Sequence, residues 1–266
     1  QATTVVWDQG SFKRYHFFID DNIFFLTELY RSGARSLFDH FYTARLRRLH
    51  DRYGVRFVLN LFFRNDHSAF LLSQFPDRYR GEWADHADWL RLAFHAYSEF
   101  PAWPYRDAHP EALPAHFEAV REQVLRFAGP SVFYPPAIVH FYSIASPDAR
   151  RFLREAGCRA MAVRAFPEAA SQARIPALYE EDPGWFTMPV DFFCNSRTLP
   201  QIESDLDRLL ACPWKETLMI GTHEQYSYPS YKGYLPDHFD RMEAAIRRVT
   251  EAGFRPVFFQ EGILGA

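Results

Sequence analysis

Strand-like and helix-like segments alternate along almost the whole chain, and this alternation restricts the fold more than any other feature. Helix signals separate the strands: residues 111–128, for example, follow Pro110 and end before Gly129. Such alternation is typical of βα units around a mainly parallel sheet. The predicted strands are 15–19, 55–62, 89–94, 131–135, 158–163, 187–191, 217–222 and 256–260. The predicted helices are 35–53, 111–128, 147–156, 201–211 and 237–252.

The length and composition fit one domain of this kind. A chain of 266 residues with 48% hydrophobic residues can bury a large core, and this length suits a single β/α barrel. Because no linker or repeat divides the sequence, we predict one domain over residues 1–266. The segment 164–186 is irregular and rich in Pro and Glu. We therefore predict an α/β fold, a distorted (β/α) barrel of seven to eight mainly parallel strands.

Charge, hydropathy and cysteine count argue against several classes of protein. The formal net charge of -3 provides no concentrated basic face for nucleic acid. No apolar run approaches the ~20 residues of a transmembrane helix. Cys158, Cys194 and Cys212 are odd in number and far apart, so they indicate neither a disulfide framework nor a zinc–thiolate site.

Several predicted strands end on residues that bind metals or transfer protons. The run Phe17-Phe18-Ile19 leads into Asp20 and Asp21, two adjacent carboxylates that repel each other unless water or a cation lies beside them. Later strand ends carry His95, Asp191, His223, Gln260 and Glu261. In a β/α barrel the C-terminal strand ends surround one mouth, where the active site lies. The structural alternative for the first pair is an Asp-Asp-Asn turn.

Two of these residues, together with Glu99, form a candidate metal site. His95 and Glu99 are four positions apart, and in a helical turn such residues share a face and can reach one ion. Together with Asp21 they offer one nitrogen and two oxygen ligands, which suits Zn, Co or Ni better than Ca or Mg. We therefore predict one divalent metal ion, most simply zinc. The alternative is a histidine that is only hydrogen-bonded in the core.

Aromatic side chains make up 18% of the chain and cluster after the candidate ligands. Trp103 follows His95, and Tyr226 follows His223. Flat rings beside a groove suit sugar faces, which stack through apolar contacts. We predict that Trp103 and Tyr226 bind substrate, whereas the alternative is that these rings pack the loops.

The order of these motifs resembles the polysaccharide deacetylase family, also called the NodB homology group or carbohydrate esterase family 4. The resemblance extends from about residue 15 to 260 and implies a distorted (β/α) barrel of the deacetylase type. It also implies removal of N- or O-acetyl groups from a sugar polymer with one divalent metal, and an extracytoplasmic location. It is carried by Phe18-Ile19-Asp20-Asp21, His95 with Glu99, Tyr134-Pro135-Pro136, Asp191 and His223.

The resemblance also implies roles for individual residues. Asp20 matches the general base, and His223 matches the general acid toward the leaving amine or alcohol. Asp191 is the nearest match to the acidic residue that supports the catalytic groups. Tyr134 and Pro136 fall in the substrate-binding loop, where a backbone N–H after Pro136 would stabilise a developing oxyanion.

The chain departs from the family pattern at three positions. Glu99 occupies the place of a second histidine, Asn22 that of a glycine, and Tyr134 that of the arginine that would orient Asp20. Arg64 is a candidate replacement for this arginine, and the alternative is that Arg64 is an ordinary surface-loop residue. The leading hypothesis is a metal-dependent deacetylase of peptidoglycan, chitin-like chains, acetylated hemicellulose or exopolysaccharide. The alternatives are a deacetylase-like module that binds carbohydrate without turnover, and another metal-dependent hydrolase on this scaffold.

Overall fold

A parallel sheet of seven strands forms the centre of the protein. The computed structural model describes residues 13–101, 104–105, 109–142, 146–163, 179–182, 184–213 and 215–263. The strand order is β10-β11-β1-β2-β5-β6, and β12 pairs with the first residues of β1. The strands are β1 (Arg14–Asn22), β2 (Phe57–Phe62), β5 (Leu90–Ala96), β6 (Phe133–Tyr134), β10 (Phe192–Phe193), β11 (Thr217–His223) and β12 (Arg255–Pro256). All six residues of β2 are buried, as expected for a parallel strand covered on both faces.

A second, three-stranded sheet distorts the barrel. It consists of β7 (Ala160–Val163), β8 (Tyr179–Asp182) and β9 (Trp185–Pro189), in the order β7-β9-β8. Phe18 and Met219 of the central sheet pack in one apolar cluster with Ala160 and Met188 of this smaller sheet. The two sheets therefore enclose a shared interior without one continuous ladder of hydrogen bonds. A short hairpin of β3 (Arg64–Asn65) and β4 (Phe70–Leu71) lies outside both sheets.

Seven α-helices accompany the strands in the described ranges. They are α1 (Phe24–Ser32), α2 (Phe41–Tyr53), α3 (Arg80–Asp85), α4 (Ala112–Phe127), α5 (Pro147–Glu155), α6 (Leu199–Leu210) and α7 (His238–Glu251). All five predicted helices are present, although 35–53 is divided into a 3₁₀ turn at Leu37–Asp39 and α2. No helix among them is long and apolar enough to cross a membrane.

The unpredicted helix α1 is capped by a distant residue. Its N-cap, Ile23, makes no side-chain hydrogen bond to the helix. Instead, the buried Glu224 carboxylate accepts hydrogen bonds from the backbone N–H groups of Ile23, Phe24 and Phe25 at 2.6–2.9 Å. This satisfies the N–H groups that a helix start leaves unpaired. A helix capped from two hundred residues away carries no local start signal.

Two predicted strands differ from the structure. The prediction of 256–260 was wrong beyond Pro256, because β12 ends there and a π-helical turn covers Phe259–Ile263. The predicted strand 187–191 is β9, which ends at Pro189 and belongs to the smaller sheet. The α/β class and the mainly parallel sheet are confirmed.

Candidate active site and metal centre

A β-bulge at the C-terminal end of β1 places two adjacent aspartates in one cavity. Ile19 pairs with Leu59 of β2, but Asn22 pairs with Leu61, so β1 contains one extra residue. Asp21 has φ of 61°, in the left-handed region that Asp tolerates better than most residues. Neighbours in a regular strand point to opposite faces. Because the bulge breaks this alternation, Asp20 and Asp21 both line a cavity of about 400 Å³.

Two histidines converge on Asp21 in this cavity. His95 lies in β5 at a second irregularity, where Leu61 pairs with Phe94 and the next β2 residue pairs with Ala96. His140 begins a 3₁₀ turn after β6. Both histidines are buried. Sequence reasoning missed His140, and its place after the apolar run Ile138-Val139 was the only local signal.

The hydrogen bonds of the two rings show which nitrogen atoms face Asp21. His95 Nδ1 donates to the Ile138 carbonyl at 3.4 Å, and His140 Nε2 donates to the Glu99 carbonyl at 3.1 Å. A carbonyl only accepts, so these nitrogens carry the protons. The remaining nitrogens, His95 Nε2 and His140 Nδ1, then present lone pairs. They lie 3.1 Å apart, and 3.2 Å and 3.5 Å from Asp21 Oδ1.

These three atoms form a group of acceptors without a proton between them. Asp21 Oδ1 is buried and has no hydrogen-bond partner within the part of the chain that is described. The other oxygen, Oδ2, accepts from Gln225 Nε2 at 2.7 Å. Three lone pairs that face one another in a buried site repel. A cation between them would remove this repulsion, and buried charge without a partner is costly. Asp21, His95 and His140 can therefore hold a metal ion.

The spacing and charge state also fit a metal such as zinc. Ligand atoms about 2.0–2.2 Å from a tetrahedral Zn²⁺ lie roughly 3.3 Å from one another, close to the 3.1–3.5 Å found here. Burial lowers the pKa of His95 to about 4, so the ring is neutral near pH 7. An ionised carboxylate and neutral imidazoles are what a metal requires.

Asp20 lies beside this group with one oxygen held and one free. Asn60 Nδ2 donates to Asp20 Oδ1 at 2.7 Å. Burial, and then the charge of Asp21, raise the pKa of Asp20 well above its usual value. Arg64 does not replace the family arginine, because it pairs with Asp66 at 2.7 Å. Asn60 was not predicted, although it lies on the neighbouring strand near the end of β2.

His223 also lines this cavity and is oriented by a hydrogen bond to Asn195. His223 Nδ1 donates to Asn195 Oδ1 at 3.0 Å, which leaves Nε2 without that proton. Asn195 also accepts from Thr222 Oγ1 at 3.3 Å, and Thr222 Oγ1 lies 2.6 Å from His238 Nε2. Burial lowers the pKa of His223. β1 and β11 are neighbouring strands, and Asp20 and His223 are register partners.

Glu99 lines the cavity but is not in the ligand group. Its carboxylate makes a 2.5 Å hydrogen bond with His67 Nε2. The i,i+4 argument fails because His95 belongs to a strand and the residues after Ala96 form a loop, so no helical face brings Glu99 back to His95. His140 takes the third position that was predicted for Glu99.

Asp191 lies away from the cavity, contrary to the prediction. It precedes β10 and its backbone N–H donates to the Met219 carbonyl, four residues before His223 at the end of β11. Strand residues advance about 3.3 Å each, so Asp191 lies roughly 13 Å below His223 along the strand direction. There it forms a buried ion pair with Lys215 at 2.8 Å. The polar residue that this segment brings to the rim is Asn195.

The predicted substrate-binding residues divide into three groups. Tyr226 lines the cavity, together with the aromatic rings of Phe100, Phe141, Phe193 and Tyr231. Tyr134 does not: its hydroxyl accepts from the Glu261 backbone N–H at 3.0 Å, and its ring packs with Val58, Ala93 and Phe258. Pro136 is buried below the cavity, where its carbonyl accepts from Gln260. Trp103 lies outside the described residues.

Comparison with known proteins supports the fold. The sequence matches no protein-family model and no curated protein. The solved structure of the Bc1960 peptidoglycan N-acetylglucosamine deacetylase is similar, with 12% identity, a TM-score of 0.51 and coverage of 92% of this chain and 86% of that one. A Streptococcus mutans CE4 esterase gives 10% identity, a TM-score of 0.51 and coverage of 92% and 85%. These similarities confirm the predicted deacetylase-type, distorted (β/α) barrel fold.

Proposed function

We propose that this protein is a metal-dependent hydrolase that removes acetyl groups from an acetylated glycan. The observation that carries this proposal is the convergence of three lone pairs, from Asp21, His95 and His140, beside the free oxygen of Asp20. A carboxylate and a histidine beside a metal site suit hydrolysis of an amide or ester. The fold shared with the peptidoglycan deacetylase and the CE4 esterase agrees with that reaction.

The metal would be held by Asp21, His95 and His140. It would supply a Lewis acid and a water of lowered pKa at this end of the sheet. Zinc is the first choice because two nitrogen ligands and one oxygen ligand suit it, and Co or Ni would also fit. Gln225 holds the second oxygen of Asp21 and thereby orients the carboxylate.

Asp20 and His223 would move the protons. Asn60 fixes Asp20 Oδ1, so Oδ2 can accept a proton from the attacking water. Asn195 fixes the Nδ1 proton of His223, so Nε2 can take up a second proton from solvent and pass it to the leaving nitrogen or oxygen, which returns the ring to its neutral form. Each of these two roles is worth about 10²- to 10⁴-fold in rate.

The aromatic walls of the cavity suit a sugar substrate. The Phe193 ring lies 5.0 Å from the His223 ring at an interplanar angle of 30°, and Phe100 and Phe141 are exposed. Exposed rings around a polar centre would stack on sugar faces while the polar groups reach the acetyl group. Peptidoglycan, which Bc1960 is named for, lies outside the cytoplasm, and an extracytoplasmic location for this chain is part of the same proposal.

The direct test is acetate release from N-acetylated chito-oligosaccharides and from O-acetylated xylo-oligosaccharides. We expect release by the zinc-loaded protein, loss of release after treatment with a chelator, and recovery when zinc is added back. Glycan binding without acetate release from any acetylated glycan would support the alternative, a module that binds carbohydrate without turnover. Acetate release that is indifferent to metal removal would contradict the proposal.

A further inference from the structure

A second cavity of about 550 Å³ adjoins the candidate active site. The two cavities share Tyr231 in their walls. His67 of the second cavity is also hydrogen-bonded to Glu99 of the first. The size is within the range of roughly 300–1,000 Å³ that is typical of ligand pockets. Its wall comes from α1, the loop after β3 and the loop around Ser230.

The two cavities differ in charge. The first contains the carboxylates Asp20, Asp21 and Glu99. The second contains the cationic side chains of Arg31 and Lys232, and its only carboxylate in the described lining is Glu28. The remaining polar lining consists of hydroxyl and amide groups and His67.

The cations of the second cavity have no partner, whereas its carboxylate has one. Glu28 already bonds with His40 Nε2 at 2.7 Å. Arg31 and Lys232 are exposed, and no hydrogen bond or ion pair engages either of them within the described chain. Both side chains are therefore free to bind an anion, and Arg can do so with two parallel hydrogen bonds.

The floor between the cavities is aromatic. The Phe24 ring lies 5.3 Å from the His67 ring and 6.4 Å from the Tyr231 ring, and the Tyr231 ring lies 5.8 Å from that of His67. Such a surface suits a sugar ring that continues from the first cavity into the second. A chain that crosses it would bring its next unit within reach of Arg31 and Lys232.

We infer that the second cavity binds an anionic sugar unit, a uronic acid or a sugar phosphate, in the same glycan whose acetyl group enters the first cavity. This inference rests on the proposed function, because it takes the first cavity as the acetyl site. It makes the substrate class an acidic acetylated glycan. The neutral chains that also fit the first cavity would bind more weakly.

The test is calorimetric binding of a tetrasaccharide of alternating N-acetylglucosamine and glucuronic acid. The matched probe is the same tetrasaccharide with its carboxyl groups reduced to alcohols, and an N-acetylglucosamine 6-phosphate disaccharide tests the phosphate source. We expect at least one acidic probe to bind about tenfold more tightly than the neutral one, the effect of one charge-assisted contact. The double variant Arg31→Gln and Lys232→Gln should lose this preference. Arg48→Gln, which removes an exposed and unpartnered arginine of α2, is the control and should keep it.

Equal binding of the acidic and neutral probes would overturn the inference, and so would an equal loss in the Arg48→Gln control. Acetate release from the neutral tetrasaccharide is measured in parallel. Release without acidic preference would overturn the inference and leave the proposed function intact. Acidic preference that depends on Arg31 and Lys232, without release from any probe, would support the anion site and contradict the deacetylase proposal. Because both side chains are exposed and make no described contact, neither variant should impair folding.

Discussion

The rim of the central sheet and its interior each bury an aspartate, and the difference lies in the neighbouring atoms. Asp191, in the interior, faces the ammonium group of Lys215 and a backbone N–H, both of which are donors. Asp21, at the rim, directs Oδ1 at two imidazole lone pairs and has no donor there. A buried carboxylate among donors is a structural ion pair, whereas one among acceptors requires a cation. The sequence shows an aspartate near a strand in both cases. Only the neighbouring atoms in the folded protein distinguish the role of Asp191 from that of Asp21.

The largest expected effect is on catalysis, where a variant of the rim aspartate Asp20 and one of the interior aspartate Asp191 should differ most. Asp20→Asn should lower acetate release by about 10²- to 10⁴-fold, because the amide cannot accept the proton from water. Asp191→Asn should leave the rate of the folded protein unchanged, since its carboxylate lies below the cavity. The measurement is the rate of acetate release per folded molecule at saturating zinc. A large rate loss in Asp191→Asn with intact folding would restore Asp191 to the catalytic group.

The same pair of variants should show the reverse order in stability. Asp191→Asn should lower the free energy of unfolding by about 3–5 kcal/mol, because it removes the carboxylate that pairs with the buried Lys215 ammonium group. Asp20→Asn should not lower it, because burial already disfavours the Asp20 charge, and the amide oxygen can still accept from Asn60. Urea unfolding of the metal-free proteins measures both values. Equal destabilisation by the two variants would contradict the distinction.

A third buried carboxylate, Glu224, predicts a pH dependence of stability. Burial raises its pKa to about 7, against 4.5 as the ordinary value, even though it accepts four hydrogen bonds. The folded protein then holds a proton that the unfolded chain releases between these values. Stability from this group is complete below about pH 4.5 and decreases as the pH rises to about 7, by roughly 3 kcal/mol at 1.36 kcal/mol per pH unit.

The test for Glu224 is the difference in unfolding free energy between the wild type and Glu224→Gln at each pH. As the pH rises from about 4.5 to about 7, the wild type should lose stability relative to Glu224→Gln. Glu122→Gln, at an exposed site of α4, is the control for the loss of a carboxylate at the surface. A constant difference for Glu224→Gln would show that the carboxylate stays ionised in the folded protein.

The smallest expected effect concerns Asn195. This residue lies at the rim, where we predicted Asp191. Asn195→Ala should lower the rate of acetate release by up to about tenfold, the value of one hydrogen bond that orients His223. Asn195→Asp should recover most of the rate, because a carboxylate oxygen can accept the same proton. A loss in both variants would mean that Asn195 acts through the loop and not through His223.

The sequence was informative wherever a residue's role follows from its strand. The ends of β1, β5 and β11 were predicted to within three residues, so Asp20, Asp21, His95 and His223 were correctly expected at one rim. The parallel pairing of β1 with both β2 and β11 brings these ends together. The aromatic wall at Tyr226 followed from the same reasoning.

The errors arose where long-range pairing overrides local pattern. The spacing of His95 and Glu99 implies a shared face only in a helix, and the structure has a strand end followed by a loop. His140 lies in a loop whose position depends on packing against β5, which spacing does not encode. Asp191 follows a strand in the sequence, but that strand belongs to the smaller sheet. Asn60 and Asn195 are ordinary loop-forming or polar residues until their partners are known.

Zinc titration of the metal-free protein tests the central claim most directly, that Asp21, His95 and His140 hold one metal ion. We expect one zinc per chain in the wild type and in Glu99→Gln, with similar affinity. His140→Ala should weaken zinc binding by more than about 100-fold, because a lost ligand costs more than a lost supporting contact. Unchanged zinc affinity in His140→Ala, or loss of zinc in Glu99→Gln but not in His140→Ala, would contradict the account.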